Sequence, residues 1–556
     1  MVKVLKKEKI LLCALNSKYI HSSPAVYYLQ AGFNRVFPDW SVDIFESSIN
    51  DTADHILHSI FGYHPDIVCM SVYIWNVSMV SKLCKSIKAI DHRIKIILGG
   101  PEVSYGISHT DMKDDDYDLI ISGEGENAFP AAICLITQNQ LPYSIEYSLE
   151  GKVLSSPYIR NLDDIPFIYN EQNINNFKNR IIYYESSRGC PFSCAYCLSS
   201  VCGKVRFLSS ERVFSDIDFF IKHNVQQVKF VDRTFNCNPS RAYKIWEYII
   251  KNADKSQTNF HFEIGADLLK DEHIELLKTA PSGKIQLEIG IQSTNKESLE
   301  ESCRYAPNDK IFNTVKALRE KGNINLHTDL IAGLPYESYE RFKESFNDVY
   351  SLKAHQLQLG FLKLLSGAPL NNQIKKHGYS FTSYSPYEIL KNNYISYEEI
   401  QLLKEVEDVV EKFYNSNRFI LTLDEIEKRF DSPFDMFFAL SEFLKARNLT
   451  FAGISTKKLY DILNEFVPGY DELLLKDFYL SENSEVAPES LKHLIPMNKF
   501  TRPASSNILH SMDLAKNKKV FVKFISNRAL VIDYSLRDPV NNRFYLIAEK
   551  EVIFDE

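Results

Sequence analysis

Short apolar runs alternate with amphipathic stretches, in two successive series, over most of the first 385 residues, and this alternation most limits the possible folds. In the first series, 9–15, 41–45, 66–73, 95–98 and 118–121 read as strands, with helices expected at 23–37, 52–61 and 78–89. The run 66–73 is almost wholly apolar, as a strand covered on both faces by crossover helices must be. Such a pattern predicts an α/β, doubly wound parallel sheet, in which ligands bind beyond the carboxyl ends of the strands. Glycines and polar residues fall at those ends, in Gly99-Gly100-Pro101-Glu102 and Gly123-Glu124-Gly125-Glu126. Taken singly, such glycines are often only turns.

The second series places strands at 181–186, 227–231, 259–263, 284–290, 325–332 and 356–364. Six such units with helical crossovers predict a partial (β/α)6 barrel, a class that puts its chemistry at the strand carboxyl ends. Residues 151–180 read as a connector. Beyond 385 the pattern changes to helices at 394–415, 423–429 and 433–447, then short strands at 520–524, 529–533 and 544–553. The expected division is therefore 1–150, a connector 151–180, a barrel 181–385 and a mainly helical region 386–556 with short terminal strands.

The net charge of −8 argues against a strongly basic nucleic-acid surface, without excluding a local patch. No stretch approaches the ~20 apolar residues of a membrane-spanning helix. The first residues read as a basic lead into the first strand, too short in apolar length for a signal peptide. Of ten cysteines, Cys13, Cys69, Cys84, Cys134, Cys202, Cys237 and Cys303 are scattered, which suits buried thiols in a reducing cytoplasm rather than a disulfide framework.

The other three lie in Arg188-Gly189-Cys190-Pro191-Phe192-Ser193-Cys194-Ala195-Tyr196-Cys197, directly after the first strand of the second series. A C-x3-C-x2-C triplet supplies three thiolates from one loop, one fewer than a closed four-iron cluster takes. Cysteines that only fill a core or bind zinc are the alternative. The loop resembles the cluster loop of the radical S-adenosylmethionine (SAM) enzymes. In that family the open iron of a [4Fe–4S] cluster chelates the amino and carboxylate groups of SAM, which one electron then cleaves to a 5′-deoxyadenosyl radical. The resemblance implies cluster ligation by Cys190, Cys194 and Cys197, and an electron donor of the reduced flavodoxin or ferredoxin type.

Further strand ends carry the likeness round the barrel. Tyr196 stands at the aromatic position whose backbone meets adenine. Asp232 and Arg233, in Phe230-Val231-Asp232-Arg233-Thr234, stand where the family contacts the SAM amino group, although the usual glycines are missing there; Asp232 can accept from the ammonium, and Arg233 offers a planar donor for a carboxylate, with a surface ion pair the equal alternative. Glu263, in Glu263-Ile264-Gly265-Ala266-Asp267, belongs to a strand end with a carboxylate for SAM hydroxyls or for substrate, and the Glu288-Ile289-Gly290-Ile291-Gln292-Ser293 strand resembles the segment that faces the SAM ribose and methionine carboxylate. Gly333-Leu334-Pro335-Tyr336-Glu337 resembles the G-L-P-x-E segment whose glycine lets backbone approach adenine. By contrast, Asp271-Glu272-His273 reads as an ordinary solvated helix start with acids in its first turn.

The first series, in turn, resembles the Rossmann-like cobalamin-binding domain of class B radical SAM methyltransferases. The matching pieces are Ala14-Leu15-Asn16-Ser17, Ser71-Val72-Tyr73-Ile74-Trp75-Asn76, Ile97-Leu98-Gly99-Gly100-Pro101-Glu102 and Gly123-Glu124-Gly125-Glu126. This implies cobalamin contacts from Asn16, Ser71, Tyr73, Trp75, Gly99, Gly100, Pro101, Glu102, Gly123, Glu124, Gly125 and Glu126. The D-x-H-x-x-G motif is absent, so cobalamin without a histidine lower ligand is expected, with His21 a loop hydrogen-bonder or a substrate-facing residue. The likeness covers about residues 9–385. The rest, from Ser385-Pro386-Tyr387-Glu388 onward, resembles the extension of an uncharacterised bacterial subgroup, expected to close the barrel mouth. Most of its tyrosines (Tyr384, Tyr387, Tyr394 and Tyr397) are expected in ordinary core packing.

Methyl transfer to an unactivated carbon is the chemistry this likeness implies. Rearrangement, cyclisation or oxidation by the same radical is an alternative. So is methylthiotransfer, which needs a second cysteine set, and so is a non-catalytic cobalamin or redox sensor. The substrate is not legible in the sequence.

Overall fold

The computed structural model describes residues 8–139, 141, 145–254 and 256–552. The basic lead at 1–7 and the last residue of the expected strand 544–553 fall outside the described residues, as does the side chain of Cys202. The chain divides into two compact units, one of Met1–Leu268, Glu300–Tyr305 and Leu362–Asn392, the other of Leu269–Leu299, Ala306–Phe361 and Asn393–Glu556.

The first unit is built on a seven-stranded sheet. Its strands are β1 (Ile10–Asn16), β2 (Val42–Ser48), β3 (Ile67–Ser71), β4 (Lys95–Gly99), β5 (Leu119–Ser122), β6 (Ser148–Glu150) and β7 (Val153–Ser155), in the order β2-β1-β3-β4-β5-β7-β6. All neighbours pair in parallel except the β6–β7 hairpin. β1 is buried at every position because helices cover both faces, so two apolar cores form. One contains Val68, Ile96 and Val80; the other contains Phe33, Phe129 and Ile97. The hairpin adds a finding to the sequence reading, since Val153–Ser155, expected in the connector, extends the sheet beside β5.

Three barrel strands also belong to this unit: Ile182–Tyr184, Gln227–Phe230 and Asn259–Ile264, paired in parallel. Val228, Phe230, Phe260 and Phe262 on one face are fully buried, whereas Tyr183, Lys229 and Glu263 on the other are only half-buried. The apolar face packs on helices such as Pro239–Asn252, which starts with proline in its first turn and with the Asn238 side chain accepting from the Arg241 N–H.

The second unit carries the strands Ile285–Gln292, Asn325–Ala332 and Gln356–Phe361, again parallel and again apolar on one face only. All six barrel strands expected from the sequence thus form. A helical layer follows. Its helix Tyr397–Val409 opens on a reciprocal capping box between Ser396 and Glu399, and Pro433–Lys445 on a Ser432 cap. Helices Thr456–Phe466, Asp471–Ser481 and Asn498–Ser511 were not apparent in the sequence. The terminal strands Val520–Ile525, Arg528–Arg537 and Phe544–Glu551 form an antiparallel sheet.

Candidate functional site

The cysteine loop leaves the carboxyl end of Ile182–Tyr184. Ser187–Arg188 pairs antiparallel with Arg206–Phe207. Gly189 follows at φ +97°, and a Cβ there would lie 2.8 Å from the Lys204 carbonyl oxygen, so only glycine fits. Cys194 is buried, and Cys190 and Cys197 are half-buried. Backbone contacts pin the loop: the Ala195 N–H donates to the Ser302 carbonyl at 2.9 Å, the Leu370 N–H to the Ala195 carbonyl at 2.8 Å, and the Ser200 hydroxyl to the Cys197 carbonyl at 2.6 Å.

Among the described residues, no three His, Cys, Asp or Glu side chains converge on a single ion-sized point. Each thiolate of a four-iron cluster binds a different iron. Burial pushes the Cys190 thiol up, while the Phe192 N–H and the Thr234 hydroxyl, 3.7 Å from its sulfur, favour the thiolate. The donor set fits an iron–sulfur cluster, with Cys190, Cys194 and Cys197 as the residues that would hold it.

Arg188, immediately before this loop, is held by three carboxylates. Its Nε lies 2.8 Å from Glu185, its Nη2 donates to Glu126, and its Nη1 lies 3.5 Å from Glu124. Burial disfavours the charge, but the three acids outweigh it and keep the guanidinium protonated well above its ordinary value. Glu124 also takes Arg206 at 2.6 Å and the Ile159 N–H at 2.8 Å. The Gly123–Glu126 segment, expected to face cobalamin, thus spends both its carboxylates on the cysteine loop and its partner strand.

The remaining loops of the seven-stranded sheet divide between structural and exposed positions. Asn16 donates to the His21 carbonyl and to Glu46. Ser71 contributes its carbonyl to the Asn76 side chain. Tyr73 and Trp75 stack at 4.4 Å with 7° between their planes, and Trp75, 43% exposed, anchors its indole N–H on the Leu15 carbonyl. Gly100, at φ +115°, would place a Cβ 2.5 Å from the Val72 carbonyl oxygen. Gly99 is half-buried and Pro101 exposed beside it, while Gly123 and Gly125 open the turn into helix Gly125–Thr137. Glu102 is buried against Tyr387 and His109. His21 lies 2.6 Å from the Tyr183 hydroxyl, the hydrogen-bonding role expected of it. The Tyr73–Trp75 stack, with its exposed indole, and the glycine backbone at the strand ends fit a flat macrocycle.

Within the barrel half of this unit, Asp232 is 1% exposed, and its oxygens accept from the Ser186 N–H, the Ser186 hydroxyl and the Ser187 hydroxyl. It therefore braces the turn into the cysteine loop. Arg233 is exposed and faces Tyr73, whose phenol is pushed up by burial while Arg233 pulls it down. Glu263 pairs with Lys229 at 3.7 Å. Asn236, absent from the sequence reading, clamps Gly265 with two hydrogen bonds of 2.8 and 2.9 Å. The Tyr196 hydroxyl is buried, and burial raises its pKa. Cys237, intermediate in exposure, lies within electrostatic reach of Cys190.

In the second unit, Glu288 is half-buried on the polar face of its strand. Gln292 takes φ +73° at a bulge, an uncommon conformation for a side-chain-bearing residue and one that clusters at functional sites. Ser293 is fully buried and donates at 2.6 Å to Glu337, which also accepts from Ser345. Burial pushes Glu337 up to about 7, against the two serines. Gly333 sits at φ +91°, and Tyr336 at +59° gives its carbonyl to Asn295. Outside the site, His273 is buried and accepts the Lys270 N–H, whereas the sequence read a solvated helix start. Tyr384 and Tyr397 are exposed and Tyr387 is buried.

The sequence reading missed Glu185, Arg206, Arg304 and Glu337 as site-forming residues. Arg188 and Glu337 stood inside quoted motifs, but nothing in the sequence named their partners.

Three family descriptions match in succession: B12 binding domain over residues 11–133, Radical SAM superfamily over 184–349, and protein of unknown function (DUF4080) over 375–529. The cobalamin-dependent radical SAM methyltransferase TokK of Streptomyces tokunonensis is 24% identical over 358 residues, covering 60% of this chain and 51% of that protein. The chain spans about half the length of the curated relatives it matches. In fold it is similar to the cobalamin-dependent SAM radical enzyme OxsB with aqua-cobalamin and SAM bound, at a TM-score of 0.58 and 13% identity over 85% of this chain and 80% of that one. It is also similar to the radical SAM methyltransferase TsrM of Kitasatospora setae with cobalamin and a [4Fe-4S] cluster bound, at 0.53 and 15% over 67% and 78%. One polypeptide thus carries a region matching the B12 binding domain, one matching the radical SAM superfamily and one matching DUF4080.

Proposed function

We propose that the chain is a cobalamin-dependent radical SAM enzyme that methylates an unactivated carbon of its substrate. The observation that carries this reading is the tie between the two sites within one unit. Arg188, adjacent to Cys190, is gripped by Glu124 and Glu126 from the loop that ends β5. Cys190, Cys194 and Cys197 would hold a [4Fe–4S] cluster, which would supply the electron for SAM cleavage, and the strand-end loops would hold cobalamin, which would carry the methyl group.

The chain's own residues do the positioning. Asp232 and Arg188 hold the stretch that leads into Cys190, and the Ser302 carbonyl fixes Ala195 between the other two cysteines. The half-buried Tyr183, Lys229 and Glu263 give the barrel interior polar groups with which to orient a substrate. The chemistry needs a low-potential donor such as reduced flavodoxin or ferredoxin and suits a reducing cytoplasm. No helix among the described residues is long and apolar enough to cross a membrane.

The test is iron and corrinoid analysis of protein produced anaerobically with cobalamin, followed by a transfer assay with methyl-labelled SAM. About four irons and one corrinoid per chain, with label appearing in a product, support the reading. Four irons without corrinoid would replace it with radical chemistry that transfers no methyl group. Both cofactors without any SAM cleavage would replace it with a sensor.

A further inference from the structure

Arg304 is distant from the cysteine motif in sequence and carries no role in the reading above. The segment Glu300–Tyr305 nevertheless lies against the loop. At one end Glu301 pairs with Lys376 and, at 3.1 Å, with His377. In the middle the Ser302 carbonyl accepts the Ala195 N–H at 2.9 Å. Cys303 then takes φ +54°, a conformation that non-glycine residues adopt at a cost. The turn delivers the Arg304 guanidinium to the loop, where Nη1 donates to the Cys194 sulfur at 3.9 Å.

Resting on the cluster assignment above, we infer that Arg304 is a positioning residue that sets the reduction potential of the cluster through its contact with Cys194. Reduction adds one negative charge to the cluster, shared with the ligating sulfurs. A fixed cation that donates to one of those sulfurs stabilises the reduced state more than the oxidised one and raises the potential; hydrogen bonds to sulfur and net charge are the general means by which proteins tune such clusters. The charge is secure there. An arginine guanidinium stays protonated in proteins, and Cys194 and Asp267 lie within electrostatic reach of it. Asp267 offsets part of the field, so the potential is set by the arginine and its acid together.

The test uses wild type, Arg304→Gln, Arg304→Lys and Asp267→Asn, each reconstituted anaerobically, assayed for iron, and titrated potentiometrically with EPR detection in the absence of SAM. In Arg304→Gln the reduced-to-oxidised ratio at the wild-type midpoint should fall about tenfold, equivalent to about 59 mV for a one-electron couple. Arg304→Lys should recover most of the shift, and Asp267→Asn should move it the opposite way. A glutamine variant with full iron and the wild-type midpoint overturns the inference. If that variant loses its iron, an unmoved midpoint in Asp267→Asn overturns it instead. A wild-type protein that takes up no cluster defeats the underlying cofactor reading, which the iron assay reports separately.

Discussion

Tyr387 donates its hydroxyl to Glu102 at 2.6 Å, joining the segment that follows the barrel to the loop at the end of β4. His109 closes the group, 3.2 Å from the same carboxylate oxygen and edge-on to the Tyr387 ring at 5.4 Å. Nearby, the Ser385 hydroxyl donates to the Ile74 carbonyl, and Gly367 packs so closely on the Tyr105 ring that a Cβ would stand 2.5 Å from it. The segment Leu362–Asn392 thus latches onto two strand-end loops of the candidate cobalamin site. A buried hydrogen bond to a carboxylate contributes roughly 1.5–3 kcal/mol. Tyr387→Phe should lower unfolding stability by about that amount and speed amide exchange in residues 100–109, as read by denaturant titration and hydrogen-exchange mass spectrometry.

Arg188 has three acidic neighbours and little solvent, so removing it strands their charges. Breaking a buried pair by deleting one partner costs about 3–5 kcal/mol. Arg188→Ala should unfold at markedly lower denaturant and retain little iron after reconstitution. Arg188→Lys should recover only part of the loss, because an ammonium cannot span Glu185, Glu126 and Glu124 with a planar fork. Full iron binding by the alanine variant would show that the clamp does not shape the cysteine loop.

Glu337 supplies a pH dependence with a definite sign. Its ordinary value is 4.5, and burial raises it in the folded chain to about 7. The folded state therefore holds a proton that the unfolded state has released between those values. Its contribution is fully present below about 4.5 and is lost as pH rises through about 7, at up to ~1.4 kcal/mol per pH unit. Across pH 5.5 to 8, wild type should lose more stability than Glu337→Gln, which keeps an acceptor for Ser293 and Ser345 and has no proton to lose. Parallel pH profiles for the two proteins would contradict the assignment.

The cysteines separate by role. Cys194→Ser should abolish cluster formation, because Cys194 is one of only three thiolates from the loop. Cys237→Ser should leave iron content unchanged, since Cys237 comes from the turn after Gln227–Phe230 and lies outside the triplet. Iron loss in the second variant would make Cys237 a ligand and leave no open iron.

Local pattern was enough to read the strands. Alternation of buried and half-buried residues along Ile285–Gln292 and Asn325–Ala332, and the uninterrupted burial of β1, are written in neighbouring residues, because side chains alternate across a strand and crossover helices cover both faces of a parallel sheet. The cysteine triplet is equally local, as three ligands from one loop have to be. The acidic and arginine positions were a different matter. Glu124 and Glu126 read as ligand contacts, yet their partners are Arg188 and Arg206, and Asp232 read as a ligand acceptor, yet two serines saturate it.

What the sequence alone determined was therefore the two βα series, the cluster-type loop and the change of character after residue 385. What only the tertiary structure decided was which charge meets which. Cys194 and Arg304 are 110 residues apart, and Glu102 and Tyr387 are 285 apart. A carboxylate or guanidinium has no periodicity that announces its partner; desolvation selects the partner once packing has brought the two groups together out of water.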